Sequence, residues 1–399
     1  MAIQTINFSD LPDKYRISYQ PNAYNRPLPV AAVEKQSIDW IYSMRHGRQV
    51  EPSAIEIAIL KNAYLIVKDG MDGLVCTNSG LVLRESRLFA TIADKKIEEY
   101  ILTSIGQKPD TIEFNEALVG FDGAWTNYYH WIVFGLCRSR IALNYANIRC
   151  PVLIPSYRDR QRQQRKGQTP LKKLAYSEDV WEESLSFFNL KKQTQELHDG
   201  CYKIRNLLYC WPDKKYPTAI TEHPSFYEGI HQSNGPNPLQ SHNKLPEGTI
   251  ERKRWPLKIY ILRKSEPRIP AEITSWLSAW LEDQGVEIIQ LEKFNFFEQM
   301  QIFRHCTHVI APHGAGLTNL LLTGSHKISI LEFNTTFEGE SKLRPWFYLL
   351  AANMGHSYWF INLDEKLSQF ELKKGIQRFI ESRIEGEGYD SLALPWSRH

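Results

Sequence analysis

Apolar positions in the first third of the chain come in short runs cut by turn residues. Residues 63–67 form an apolar stretch, Asp69-Gly70 and Asp72-Gly73 break it, 74–76 resume it, and Asn78-Ser79-Gly80 turns the chain before 81–83. That pattern predicts a small antiparallel meander. From residue 117 the texture changes to a short strand (117–120), a helical apolar spacing over 127–143 and a proline-bracketed strand over 151–155. Strand, helix, strand in that order predicts a parallel sheet with covering helices. The stretch 211–256 is rich in Pro, Asn, Ser and His with no apolar period, and reads as an interdomain linker with some loop of the first domain.

Beyond it the alternation is regular. A strand over 257–263 precedes a helix over 271–284 with Ile273, Trp276, Leu277, Trp280 and Leu281 on one face, which Gly285 ends. A strand over 286–291 follows, then a helix opened by the capping pair Asn295 and Glu298, with Met300 and Phe303 among its apolar positions. A strand over 307–311, a glycine-rich loop, a short helix and a strand over 327–333 complete a β-α-β-α-β-α-β series. Helices from Pro345 and over 365–384 close the chain. The series predicts a doubly wound α/β sheet with ligands at the carboxyl ends of its strands. The expected division is 1–245 (meander, then α/β), 246–364 (Rossmann-like), and 365–399, a helix and tail able to pack back on the first domain.

A length of 399 residues agrees with two domains. Lysine and arginine exceed the acids by only three, which argues against a nucleic-acid binder held by bulk charge. The six cysteines are scattered and form no C-x-x-C pair, so they read as reduced, buried thiols and not as a disulfide framework or a zinc site. The N-terminus has no basic region followed by an apolar stretch, and no run approaches the roughly 18 apolar residues of a membrane span. The expectation is a soluble, cytoplasmic protein.

Four segments could carry chemistry. In 309–319 a buried strand runs into Pro312-His313-Gly314-Ala315-Gly316-Leu317-Thr318-Asn319. Glycines let a backbone approach an anion, and free amides at a helix start point toward it, so this is a candidate phosphate cradle with His313 beside it. The same residues would also serve a tight strand-to-helix turn. Arg263 leaves the end of a strand on the ligand rim and Arg268 follows it; the alternative is a solvated loop. Glu332 ends another strand on that rim, where a carboxylate can accept both hydroxyls of a ribose, though an ordinary strand-end glutamate looks the same. In the first domain, 121–131 packs aromatics, an acid, an amide and a histidine into one loop-to-helix transition. Asn127, Tyr128, Tyr129 and Trp131 could face a sugar, and Asp122 or His130 could take a proton from a hydroxyl. The alternative there is an aromatic helix start with a core histidine.

Three signals carry less. His305-Cys306-Thr307-His308 crosses from a helix end into a strand, where its side chains diverge, so no metal site is expected. The basic run 158–173 reads as a solvated segment, with peripheral contact to an anionic membrane surface as the other reading. No Asp-x-Asp triplet occurs, which points to chemistry without a metal.

Taken in order, Asn127-Tyr128-Tyr129-His130-Trp131, Tyr260-Ile261-Leu262-Arg263 with Arg268, Glu298-Gln299, Pro312 to Asn319 and Ile330-Leu331-Glu332 resemble glycosyltransferase family 61 over about residues 55–360. The resemblance implies a GT-B architecture, two Rossmann-like domains facing across a cleft, and inverting, metal-independent transfer from a nucleotide-sugar, commonly a UDP-sugar. It implies surface or capsular polysaccharide assembly, an oligosaccharide or lipid-linked glycan acceptor, and no nucleic-acid partner. On it, Arg263, Arg268, His313, Gly314, Ala315, Gly316, Leu317, Asn319 and Glu332 hold the donor. Asn127, Tyr128, Tyr129 and Trp131 meet the acceptor, with His130 or Asp122 as base. One departure stands out: the segment 268–272 keeps Glu272 but lacks the asparagine usual before it. A sugar-nucleotide epimerase of the same architecture and a non-catalytic carbohydrate-binding member remain open.

Overall fold

The computed structural model describes residues 3–16, 22–36, 49–107, 113–166, 173–213, 217–231, 255–263, 268–324, 326–336 and 344–382. The chain forms two compact units, Met1–Pro21 with Ser53–Gly229 and Asn22–Pro52 with Ile230–His399.

The first unit is built on one mixed sheet. Its strands are β1 (Ile55–Val67), β2 (Leu74–Cys76), β3 (Val82–Leu83), β4 (Phe114–Val119), β5 (Val152–Pro155), β6 (Thr194–Leu197) and β7 (Gly200–Pro212). Among the described residues the order is Thr5–Ile6, β3, β2, β1, β7, β4, β5, β6, with Lys14–Arg16 also on β1. The meander β1-β2-β3 is antiparallel, as its turns predict, while β7-β4-β5-β6 are parallel. β1 starts earlier than its apolar stretch, because Ile55 and Ile57 are buried on either side of partly exposed Glu56. It pairs antiparallel with β7 from Ile55↔Pro212 to Val67↔Gly200. That pairing corrects the linker expectation: Trp211 and Pro212 belong to β7, and a 3-10 turn (Pro217–Glu222) and a helix (Pro224–His231) follow. Residues 214–216 and 232–254 of the expected linker lie outside the described residues.

Between β4 and β5 runs a helix of changing pitch. It is α-helical at Tyr128–His130, π-helical over Trp131–Cys137 and α-helical again over Arg138–Ala146. Wide turns of this kind are uncommon and cluster at functional sites.

The second unit carries an all-parallel sheet of β8 (Lys258–Ile261), β9 (Glu287–Ile289), β10 (His308–Pro312), β11 (Ser329–Asn334) and β12 (Ser357–Asn362). Their spatial order is β9-β8-β10-β11-β12, with Val30–Ala31 added parallel to β12. Every residue of β10 and β11 is buried, as expected for parallel strands covered on both faces. The Asn295–Glu298 capping box predicted for the helix Phe296–His305 is present. The terminal helix Gln369–Ile380 puts Leu372, Ile376, Phe379 and Ile380 into one core with Tyr260, Ile310, Leu331 and Ile361. Its apolar face completes the cover of this sheet within the second unit. Residues 383–399 lie outside the described residues.

In doubly wound sheets of this kind the strand order reverses between the first and third strands of the series, here β8 and β10. Ligands bind at the carboxyl ends of the strands flanking such a reversal.

Candidate active site

Each unit carries a histidine paired with a carboxylate just past the carboxyl end of a parallel strand. In the first unit, β4 ends at Val119 and the chain turns through Phe121-Asp122-Gly123. Asn127 caps the following helix by accepting from the Tyr129 amide at 2.9 Å, which sets His130 in the first turn. Nδ1 of His130 then lies 2.7 Å from Oδ2 of Asp122. The carboxylate is 3 % exposed and the imidazole 18 %, so the acid is sequestered while the ring reaches solvent. Burial pushes the Asp122 carboxyl up, but His130, Arg138 and the Ala124 amide outweigh it and leave it below the usual carboxylate range. An ionised Asp122 can only accept, so His130 Nδ1 carries the hydrogen and Nε2 is the atom left to take a proton.

Packing holds this loop tightly. Gly73 takes φ 75°, and a β-carbon there would lie 3.1 Å from the carbonyl carbon of Asp122. Asp72, next to it, accepts from Trp125 Nε1 at 3.0 Å and from Arg160 Nη2 at 2.7 Å, while Arg160 Nη1 reaches Asp69 at 2.7 Å. The basic run expected to be solvated therefore sends one arginine, only 2 % exposed, inward to brace the site. The rest of its helix, Tyr157–Arg165, is mostly accessible, and residues 167–172 lie outside the described residues.

The aromatic residues expected to face a sugar are buried. Trp131 is fully buried, stacked on Tyr176 and Trp181, and donates to Ser184 Oγ at 3.0 Å. Tyr128 and Tyr129 are buried too, the latter edge-on to His130 and Phe134. Asn127 is occupied as a cap. A helix start rich in aromatics gives no sign of which face the rings take, and here they fill the core behind His130. Phe89, missed in the sequence, sets its ring edge-on against His130 with centroids 4.5 Å apart.

In the second unit, Nδ1 of His313 lies 2.5 Å from Oε1 of Glu332. Tyr358 Oη donates to the other oxygen at 2.5 Å, and burial, with Glu332 next, pushes the Tyr358 phenol well up. Glu332 is 0 % exposed, so both its oxygens are engaged inside the fold. With both oxygens engaged, the carboxylate holds the His313 ring. Tyr358 escaped notice because β12 was not recognised as a strand.

Arg263 follows β8 and donates from Nη1 to the His313 carbonyl at 3.3 Å, bridging the two strands at the reversal. Gly314 is what lets it in: a β-carbon there would lie 2.5 Å from Nη1. The helix that follows, Ala315–Leu322, is 3-10. Its Leu317 amide bonds the Gly314 carbonyl at 3.0 Å, and the His313 amide bonds Phe333 at 2.9 Å. Of the amides in the expected phosphate cradle, those of His313 and Leu317 are thus engaged within the fold. Leu317 and Asn319 are interior, with Asn319 Nδ2 donating to Gln299 Oε1 at 2.8 Å. Arg268 is partly exposed, and residues 264–267 before it lie outside the described residues. The elements of the doubted metal motif diverge: His305 meets the Gln301 carbonyl and His308 the Ser382 carbonyl, while Cys306 is buried. Among the described residues no helix is long and apolar enough to cross a membrane.

The family model described as glycosyltransferase 61 matches residues 128–329, about half of the chain. The match takes in His130, Arg263 and His313, with Asp122 just before it and Glu332 just after. No curated protein matches the chain.

Proposed function

This chain belongs to glycosyltransferase family 61, and from that premise we propose that it moves a sugar from a UDP-sugar to a hydroxyl of a glycan acceptor, with inversion and without a required metal ion. Family membership makes it a glycosyltransferase, with a nucleotide-sugar donor and a glycan acceptor as substrates. The observation that carries the mechanism is that two strand-end histidines, His130 in the first unit and His313 in the second, are each held by a buried carboxylate, Asp122 and Glu332.

On this reading the second unit takes the donor. Arg263 and the amides of Gly314, Ala315 and Gly316 hold the diphosphate, and His313, held by Glu332, stabilises the charge that builds on it as the glycosidic bond breaks. These fixed cations and dipoles do what a divalent ion does in metal-dependent transferases. The first unit takes the acceptor. Nε2 of His130 accepts the hydroxyl proton as that oxygen attacks the anomeric carbon opposite the leaving diphosphate, and Asp122 stabilises the resulting imidazolium. One displacement from the opposite face inverts the centre. The two units are then the acceptor and donor halves of a GT-B transferase. Assembly of bacterial surface polysaccharide, on an oligosaccharide or lipid-linked acceptor at the cytoplasmic side of a membrane, rests on the motif resemblance.

The test is turnover of UDP-, GDP-, ADP- and CMP-sugars, with and without EDTA, followed by release of free nucleotide. One donor should be consumed at an EDTA-insensitive rate, reduced by at least roughly 10²-fold in His130→Ala. Conversion of the donor to an isomer with no nucleotide released would identify an epimerase instead.

A further inference from the structure

Arg138 is fully buried in the first unit, and neither the donor site nor the proton transfer described above uses it. It follows directly on the π-helical residues, so the wide turns separate it from His130 on the same helix. Its Nη2 donates to the Phe121 carbonyl at 2.8 Å, the residue before Asp122. The guanidinium lies over the rings of Tyr209 and Trp211, 5.2 and 5.9 Å from their centroids. Nε and Nη1 make no hydrogen bond among the described residues. A cation buried among one neutral carbonyl, the neutral phenol of Tyr209 and two ring faces has given up much hydration with no carboxylate bonded to it directly. Packing alone would be served by methionine.

We propose that Arg138 is a positioning residue that keeps Asp122 ionised and in place while His130 is neutral and competent to act as the base.

The argument follows from the charge states of the couple. When His130 carries a proton, it balances the buried Asp122 carboxylate at 2.7 Å. A competent base must be neutral, and in that state Asp122 loses its nearest positive charge. Burial then favours the protonated acid, which would turn Oδ2 from acceptor to donor and release the tautomer that leaves Nε2 open. Among the described residues Arg138 is the other cation acting on Asp122, and its bond to Phe121 fixes the peptide that carries the carboxylate. The other titratable groups facing Asp122 are the phenols of Tyr129, Tyr176 and Tyr209, all pushed up by burial and neutral at working pH. Arg160 reaches the same loop through Trp125, but its charge is matched by Asp69 and Asp72.

This inference rests on His130 as the base, so its test has one readout that needs no substrate. Histidine-labelled wild type, Arg138→Gln, Arg138→Lys, Asp122→Asn and His130→Ala are titrated by NMR, His130→Ala assigning the signal. Donor turnover is then followed against pH with whichever nucleotide-sugar the wild type consumes. In Arg138→Gln, which keeps an amide donor for Phe121 but drops the charge, the His130 midpoint and the acid limb of kcat should both move to higher pH. kcat should fall by roughly tenfold to a hundredfold. Arg138→Lys should restore the midpoint, and Asp122→Asn should lower it. Unchanged midpoint and acid limb in a folded Arg138→Gln would overturn the proposal, and Arg138→Met carries the same comparison should the glutamine variant not fold. Full turnover in His130→Ala would instead remove the base assignment itself.

Discussion

Nη1 of Arg263 occupies the space that a side chain on Gly314 would need, since a β-carbon there would lie only 2.5 Å away. The glycine is therefore fitted to this arginine as well as to any ligand. Gly314→Ala should displace the guanidinium and weaken nucleoside diphosphate binding by roughly tenfold, the worth of about one charge-assisted bond. Calorimetry measures the loss, and thermal unfolding should stay close to wild type. Unchanged affinity would mean that Arg263 does not touch the diphosphate.

Removing Arg160 should cost stability before it costs chemistry. Arg160→Met strands the buried Asp72 carboxylate, which burial already pushes up against the pull of Arg160. Breaking a buried pair from one side costs about 3–5 kcal/mol. Thermal or urea unfolding should show a loss of that order, and Asp72→Asn in the same chain should recover much of it. A loss below about 1 kcal/mol, the range of surface pairs, would contradict the burial argument.

Glu332→Gln should fold and still bind nucleotide, yet turn over roughly 10²-fold more slowly, because a neutral amide no longer supplies the charge-assisted bond that holds the His313 ring. Tyr358→Phe removes the bond to the other oxygen and should have a smaller effect of the same kind. Steady-state kinetics separates the two, and equal effects would count against graded support from Glu332.

His308 gives a pH dependence with a defined sign. Burial first, then the Lys258 charge, holds its imidazole below the ordinary 6.5, against the Ser382 carbonyl. At pH under about 6.5 the unfolded chain binds a proton that the folded chain does not, so stability falls as the medium is acidified from there. The loss should continue down to the lowered folded value. His308→Gln should lose less stability between pH 7.5 and 5 than wild type, measured by thermal unfolding at each pH, and parallel losses would refute it.

The second unit was readable because its apolar strands alternate with capped helices, and Asn295 with Glu298 marks one start unambiguously. His130 and Asp122 were legible as candidates for one task, since eight residues separate them. Their pairing was not, because nothing local says that the loop folds back on the helix. The burial of Glu332 was not legible for the opposite reason: a strand-end acid looks exposed until Tyr358, from a strand later in the chain, closes over it. Arg138 and Arg160 stand in segments that look apolar or solvated, and their partners Phe121, Asp69 and Asp72 are distant in sequence. The addition of Val30–Ala31 to the second sheet rests on two residues, too few for any periodicity to register.

The most direct test of the account is calorimetric titration of UDP, GDP, ADP and CMP into wild type, Arg263→Ala, His313→Ala and His130→Ala. The account expects one nucleotide, UDP, to bind with EDTA present. Affinity should fall at least about tenfold in Arg263→Ala and His313→Ala and stay at wild-type strength in His130→Ala. Absence of binding by any nucleotide, or equal loss in all three variants, would contradict a donor site in the second unit served by a separate base in the first.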